Sequence, residues 1–381
     1  MRIAIVRRQP KIAFSMDVYA DNLVAELKKL RPDWDILEIA PQPWNKNLEK
    51  TWQTGNPLRK YYERFYRHPQ AVKQIDADLF HIIDHSDGHI AYGLKKIGKP
   101  VVVTCHDLVQ FIYPEIMKNQ ARFPAFSLAV WQYCVKGITL ADSTIAVSSN
   151  TAKDLAHWLN ITPDKIVVVP NGVDTVFNVL DKKAIADWKQ QYTSSPDEIC
   201  LLHVGSNQQR KNIETVLKVI KAIAEQGIPV RLWKVGGDFY PEQQQYIKAN
   251  NLSEYITSVS NPERQAVINF YCAADVLVAP SLYEGFGLTV LEAMACGTPT
   301  ITSNVSAIPE VAGDAAVLVE PTDVAAITEA VLRINRDRNF RQDLIDRGLA
   351  RVKEFSWQKT AQKTAQLYEQ VVKSKSKILA G

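Results

Sequence analysis

The stretch "ADVLVAPSLYEGFGLTVLEAMACGTPTITS", Ala274 to Ser303, decides the fold. "ADVLVAPS" reads as a strand ending at Ser281, apolar at nearly every position. "LTVLEAMA" reads as a helix stopped by Gly297, with Pro299 barring its continuation, and "TPTITS" reads as the next strand. Strand, glycine loop, helix and strand in so short a span make one step of a parallel α/β sheet.

Working outward, the same grammar recurs. "ICLLHVGS", "VRLWKVGG", "YITSVS" and "AAVLVEP" complete one series of strands around the opening stretch. An earlier series runs through "RIAIV", "WDILEIA", "DLFHIID", "PVVVTCHD", "STIAVSS" and "KIVVVP". Strands apolar on successive positions are buried on both faces, as in parallel sheets covered by helices. At 381 residues the chain exceeds what one core usually supports. The expected fold class is therefore α/β, with two tandem Rossmann-like domains facing across a cleft, residues 1–175 and 176–356. The linker is expected near Asn171 to Pro196, where Gly172 and the polar run "QQYTSSPDE" interrupt the periodicity. The run Trp357 to Lys375 is helix-forming, with little left to pack against in the second domain.

Composition narrows the function classes. Lys plus Arg number 45 against 41 Asp plus Glu, too even for a surface built to bind nucleic acid. Five scattered cysteines, Cys105, Cys134, Cys200, Cys272 and Cys296, read as reduced core residues of a cytoplasmic protein, with no zinc ligand spacing. The opening "MRIAIV" reads as a strand rather than a secretory leader, and no apolar run approaches the ~18 residues of a membrane span.

The chemistry begins in the glycine loop. A strand, loop and helix N-terminus point unpaired backbone N–H groups at whatever sits over the loop, which favours a phosphate. Gly285 and Gly287 let the backbone approach a ligand that side chains would block. Two carboxylates beside a phosphate make sense if they address hydroxyl groups on either side of a diphosphate. Glu292, inside the helix, would accept hydrogen bonds from a ribose diol, and Glu284 would reach hydroxyls beyond the distal phosphate. The inferred ligand is a nucleotide diphosphate carrying a polyol. Upstream, "LLHVGSNQQRKNIETVL" is the first strand, loop and helix of the same domain, and carries adjacent cations Arg210 and Lys211 after Gly205. Loops at the carboxyl ends of parallel strands face the ligand crevice, so this pair would meet the diphosphate and neutralise charge on a leaving phosphate.

These residues resemble a known family. Glu284 and Glu292 in "EGFGLTVLEAMACGTPTI", "GSNQQRKN" upstream, and "VVPNGVD" closing the first domain look like the retaining, nucleotide-sugar-dependent glycosyltransferases of family 4, whose fold is GT-B. The resemblance covers nearly the whole chain. It implies that Glu292 binds the donor ribose, Glu284 contacts the transferred sugar, and Arg210 and Lys211 bind the diphosphate. The backbone of Phe286 to Leu288 would line the donor site, and His106 in "VVVTCHD" would face the sugar. It implies further that the first domain binds the acceptor, that the final helix, residues 357–381, packs back onto that domain, and that neither metal nor other cofactor is required. The chain departs from the family in its first loop, "RRQPKIAFSMD", Arg7 to Asp17, where glycines are usual, so acceptor choice does not transfer.

Two other readings of the same residues are a nucleotide-sugar epimerase and a non-catalytic sugar-nucleotide-binding protein. A nicotinamide dehydrogenase is disfavoured because neither domain's first strand leads into G-x-G-x-x-G. His81, His85 and His89 have helical ligand spacing, but "LFHIID" is a strand, so they would not share a face. Asp76 and Asp78 precede their strand and read as surface. The segment Arg59 to Pro69, "RKYYERFYRHP", interleaves bases with aromatics. On a helix, Leu58, Tyr61, Tyr62 and Phe65 form one stripe, either core-facing or a peripheral contact with a membrane surface or anionic acceptor.

Overall fold

The structure, a computed structural model, describes residues 1–8, 14–41, 57–116 and 123–380. Of the first loop, Arg7 to Asp17, residues 9–13 lie outside the described residues. The chain divides into two compact units, Met1–Gly172 with Trp357–Gly381, and Val173–Ser356.

The first unit is a parallel sheet in the order β2 (Asp35–Ile39), β1 (Arg2–Val6), β3 (Leu79–Ile82), β4 (Val101–Cys105), β5 (Ser143–Ala146), β6 (Ile166–Val168). Ile3 and Ile5 leave one face of β1 and Ala4 and Val6 the other, and all four are at most 2% exposed. Burial on both faces is why these strands read as unbroken apolar runs. Val72, Leu94, Trp131 and Val135 cover one face. The other is covered by Tyr19, Leu23 and Leu27 of helix Phe14–Leu30, and by Trp357, Ala361, Ala365 and Tyr368 of the final helix, Trp357–Ala380. Steps of four, four and three keep those last residues on one side of the helix.

A polar chain runs through this second face. His81 Nδ1 lies 2.5 Å from the Tyr368 hydroxyl and its Nε2 2.7 Å from Thr104 Oγ1, which meets the Tyr19 hydroxyl at 3.0 Å. Burial holds the imidazole down to about 3, so His81 is a neutral, fully partnered core group. His85 sits in the short turn His85–Asp87, and His89 precedes helix Ile90–Lys96.

The second unit is also parallel, ordered β12 (Val317–Val319), β11 (Thr300–Ser303), β10 (Val276–Ala279), β7 (Ile199–Gly205), β8 (Val230–Gly236), β9 (Ile256–Val259). Counted within the unit this is 6-5-4-1-2-3, the dinucleotide-fold order, whose direction reverses between β7 and β10. The stretch expected as linker is not all loop. It contains helix Lys182–Gln190, capped by Asp181, whose Oδ1 accepts from the N–H groups of Lys183 and Ala184. Trp188 of that helix packs edge-on against Phe270, ring centres 5.6 Å apart, which anchors it to the second unit.

The basic-aromatic segment forms helix Pro57–Tyr62, a wider π-helical turn Glu63–Arg67, and helix His68–Lys73. Its stripe does not simply face the core. Tyr61 is 40% and Tyr62 46% exposed, although Phe65 packs on His89 at 4.7 Å.

Candidate active site

The second unit's reversal point places two loops side by side at the carboxyl ends of β7 and β10. After β7 the chain makes a turn at Gln209–Lys211 and enters helix Ile213–Ala224 through Asn212, at φ +55°. Asn212 Nδ2 donates to the carbonyls of Pro280, at 3.0 Å, and Pro321, at 2.7 Å, while Leu282 N donates to Arg210 O at 2.7 Å. Backbone and amide together therefore fix the β7 loop against the β10 loop.

The charged centre forms where they meet. Glu284 Oε1 accepts from Lys211 Nζ at 2.6 Å and from Ser281 Oγ at 2.8 Å, and its Oε2 pairs with Arg210 Nη1 at 2.8 Å. Ser306 Oγ accepts from the Glu284 N–H at 3.0 Å, and Arg210 also reaches Tyr283 O at 3.3 Å. Glu284 is 7% exposed. Burial alone would push its carboxyl up, but the Lys211 and Arg210 charges and the Lys211 and Ser281 hydrogen bonds outweigh it and hold it at about 2. Burial pulls the Lys211 ammonium down, opposed by Glu284. Glu284, Arg210 and Lys211, expected to face different parts of a ligand, are thus brought into one ion cluster with one another.

Gly205 ends β7 beside this cluster, the Lys211 side chain running past its Cα. Gly287, at φ +109°, turns the β10 loop into helix Leu288–Ala295, and a Cβ there would stand 2.6 Å from Ile308 Cδ1. Phe286 packs edge-on against Phe355 at 5.8 Å, so its side chain belongs to the core and its backbone to the loop that also holds Gly285 and leads into Leu288. Glu292 does not join the Glu284 cluster. Its Oε2 accepts from the Tyr271 hydroxyl at 2.8 Å, and burial raises its carboxyl against the opposing effects of Tyr271 and Arg264.

His106 lies in the first unit, just past β4. Its Nε2 meets Ile83 O at 2.8 Å, its ring stands edge-on to Tyr19 at 4.8 Å, and burial and the neighbouring His85 lower its pKa. The sequence reading passed over Asp84, which follows β3 and is 2% exposed. Arg8 Nη1 pairs with it at 3.0 Å, and Ser86 N and Oγ donate to it at 2.8 and 2.7 Å. A carboxylate ending an apolar strand was the available signal. Lys234, buried inside β8, was likewise read only as a strand residue. Among the described residues no group of three or more His, Cys, Asp or Glu is placed to hold a metal ion.

Comparison with known proteins agrees with this geometry. Residues 184–351 match the family described as "Glycosyl transferases group 1", and residues 6–177 match "Glycosyltransferase Family 4". The Escherichia coli O-antigen chain mannosyltransferase B is 30% identical over 281 residues, 70% of this chain and 70% of that protein. The Escherichia coli serotype-specific mannosyltransferase WbdA is 28% identical over 332 residues, 82% of this chain but only 39% of WbdA's own length. Among solved structures, sucrose-phosphate synthase from Thermosynechococcus elongatus superposes with a TM-score of 0.76 at 24% identity, covering 98% of this chain and all of that one. Fold and relatives define the class as glycosyltransferases of the GT-B fold. The chain belongs to the group 1 glycosyltransferases, family 4.

Proposed function

We propose that the protein is a retaining, metal-independent hexosyltransferase that moves a sugar from a nucleotide-diphosphate donor to an acceptor hydroxyl in polysaccharide or glycolipid synthesis. The observation that carries the reading is the buried cluster of Arg210, Lys211 and Glu284 at the reversal point of the second sheet. Two cations and a carboxylate desolvated beside a glycine loop form a preorganised receptor for an anion whose charge grows during reaction.

In the proposed step the bond between the anomeric carbon and the phosphate oxygen breaks, a bond to the acceptor oxygen forms on the same face, and the acceptor proton passes to the departing diphosphate. Arg210, Lys211 and the N–H groups of the Gly285–Leu288 loop stabilise that leaving group. Glu284 orients both cations and addresses the sugar, Glu292 takes the ribose diol, and neutral His106, its Nε2–H committed to Ile83 O, accepts from a sugar hydroxyl at Nδ1 rather than presenting a charge. The relatives' names make mannose the first sugar to try. The test is transfer assayed with UDP-, GDP- and ADP-linked hexoses, with and without EDTA. Chelator-insensitive transfer with an unchanged anomeric configuration supports the reading. Donor consumption without acceptor, yielding an isomerised sugar nucleotide, returns the epimerase.

The acceptor side includes, in our reading, a membrane surface met by Arg59 to Pro69. Phe126 and Tyr133, 58% and 53% exposed, line an apolar groove with Tyr61, Phe65 and Val130, and on the same segment Tyr62 and Tyr66, 46% and 56% exposed, pair with each other, ring centres 5.2 Å apart. Aromatic rings flanked by bases suit an anionic lipid interface. Sedimentation with phosphatidylglycerol vesicles that is lost in Tyr62→Ser/Tyr66→Ser supports the contact. No sedimentation at low salt removes it. None of the described helices is long and apolar enough to cross a membrane.

A further inference from the structure

We propose that Lys234 is a positioning residue for the donor diphosphate: its buried ammonium ties the loops after β7 and β8 together from beneath and adds a third positive charge to those of Arg210 and Lys211. The inference rests on the donor-side reading above and extends it to a residue that touches no ligand.

Lys234 is fully buried in β8, between β7 and β9 of the six-stranded sheet, where a parallel sheet ordinarily takes an apolar side chain. Its Nζ donates to Gly205 O at 2.7 Å and to Gly237 O at 3.1 Å. Both acceptors are carbonyls, which solvate an ammonium without neutralising it. Gly205 opens the loop that carries Arg210 and Lys211, and Gly237 follows β8. The two loops are in backbone contact, since Gly237 N donates to Gly205 O at 3.3 Å and a Cβ on Gly236 would lie 2.4 Å from that same oxygen. One amine therefore sets the spacing of both.

The surrounding charges do not balance. From β7, His203 is the register partner of Lys234, so both leave the same face of the sheet. His203 Nδ1 is bonded to Val278 O at 3.0 Å, its Nε2 is buried without a partner, and burial and Lys234 hold the ring neutral. From the β7 loop comes Lys211, a like charge, and from the β8 loop Asp238, which is exposed and screened by solvent. Burial, with Lys211 adding to it and Asp238 opposing it, brings the Lys234 ammonium down to about 8. Arg210 and Lys211 thus share the buried Glu284, Lys211 also feels the Glu292 carboxylate, and Lys234 has carbonyls rather than a carboxylate against its ammonium. A diphosphate would supply the missing negative charge. A structural tie alone would not need a cation, because a neutral donor satisfies the same carbonyls.

That difference is the test. Dissociation constants for UDP, GDP and ADP, and for the matching nucleosides, are measured by calorimetry on wild type and on Lys234→Met, Lys234→Gln, Lys234→Arg and, as control, Lys211→Met. The expected result is about tenfold weaker diphosphate binding in Lys234→Met and Lys234→Gln, the scale of one buried charge acting at a distance. Nucleoside affinity stays unchanged, and Lys234→Arg restores most of the loss. Should Lys234→Met fail to fold, Lys234→Gln, which keeps a donor for the carbonyls, decides the same question. Lys234 variants that bind diphosphate like wild type while Lys211→Met weakens it overturn this inference and leave the donor site standing. Wild type that binds none of the three, or Lys211→Met without effect, overturns the donor-side reading and this inference with it.

Discussion

Glu284 is the residue on which the second unit's ion cluster turns and, in the proposed function, its chemistry as well. Replacing it by Gln leaves Arg210 and Lys211 desolvated with no counter-charge, at a cost of about 3 kcal/mol. Urea unfolding should show that loss, and transfer activity should fall about 100-fold. The effect carries a pH signature. The folded carboxyl titrates at about 2, below its ordinary 4.5, so its stabilisation is complete above that ordinary value and is lost as pH falls through the folded one. The stability gap between wild type and Glu284→Gln should therefore narrow between about pH 5 and pH 2.5, read by unfolding at each pH. At this scale the sequence was partly legible. Adjacent cations and a glutamate between glycines advertised themselves, because charged residues in glycine loops have little structural use. Their pairing with one another was not legible, since it depends on β7 and β10 being neighbours despite lying far apart in sequence. Lys234 was hidden because a strand's apolar neighbours mask a single buried charge, whereas Asp84, past the end of β3, was passed over because one carboxylate after a strand is a weak signal.

Elements were the most readable scale. Each of the β-branched runs became a strand, and in inner strands such as β3, β4, β10 and β11 burial on both faces leaves no polar period to blur them. The helix Lys182–Gln190 escaped because its exposed face is polar and glycine and proline signals around it suggested a linker. Within the loop after β10, Gly287→Ala should cost about 1–3 kcal/mol, since alanine meets both an unfavourable φ and Ile308. Loss of nucleotide binding in parallel would mark the loop geometry, rather than any side chain, as the source. In the first unit, Tyr368→Phe strips the Nδ1 partner from His81 and should destabilise by about 1–3 kcal/mol without moving the KM for donor. Chemical denaturation and steady-state kinetics check the two halves of that statement.

The whole molecule has separate hydrophobic cores in its two units. A nucleotide held only by the second unit should raise one unfolding transition and leave the other, so calorimetry with saturating nucleoside diphosphate should resolve two peaks where the free protein gives fewer. A single peak that shifts intact would show instead that the units unfold together.

The final helix, Trp357–Ala380, also dictates how the protein is born. The sheet face that it covers, with Ile3, Ile5, Leu79 and His81, is translated before the second unit, yet the helix that covers it is translated after that unit. The second unit is one uninterrupted segment and can complete its core during synthesis. At about 5–20 residues per second the first unit waits on the order of 10 to 40 s, its apolar face open, while the second is made. The unit begun before the other is thus completed after it, and chains stalled before Trp357 should be the ones that chaperones hold.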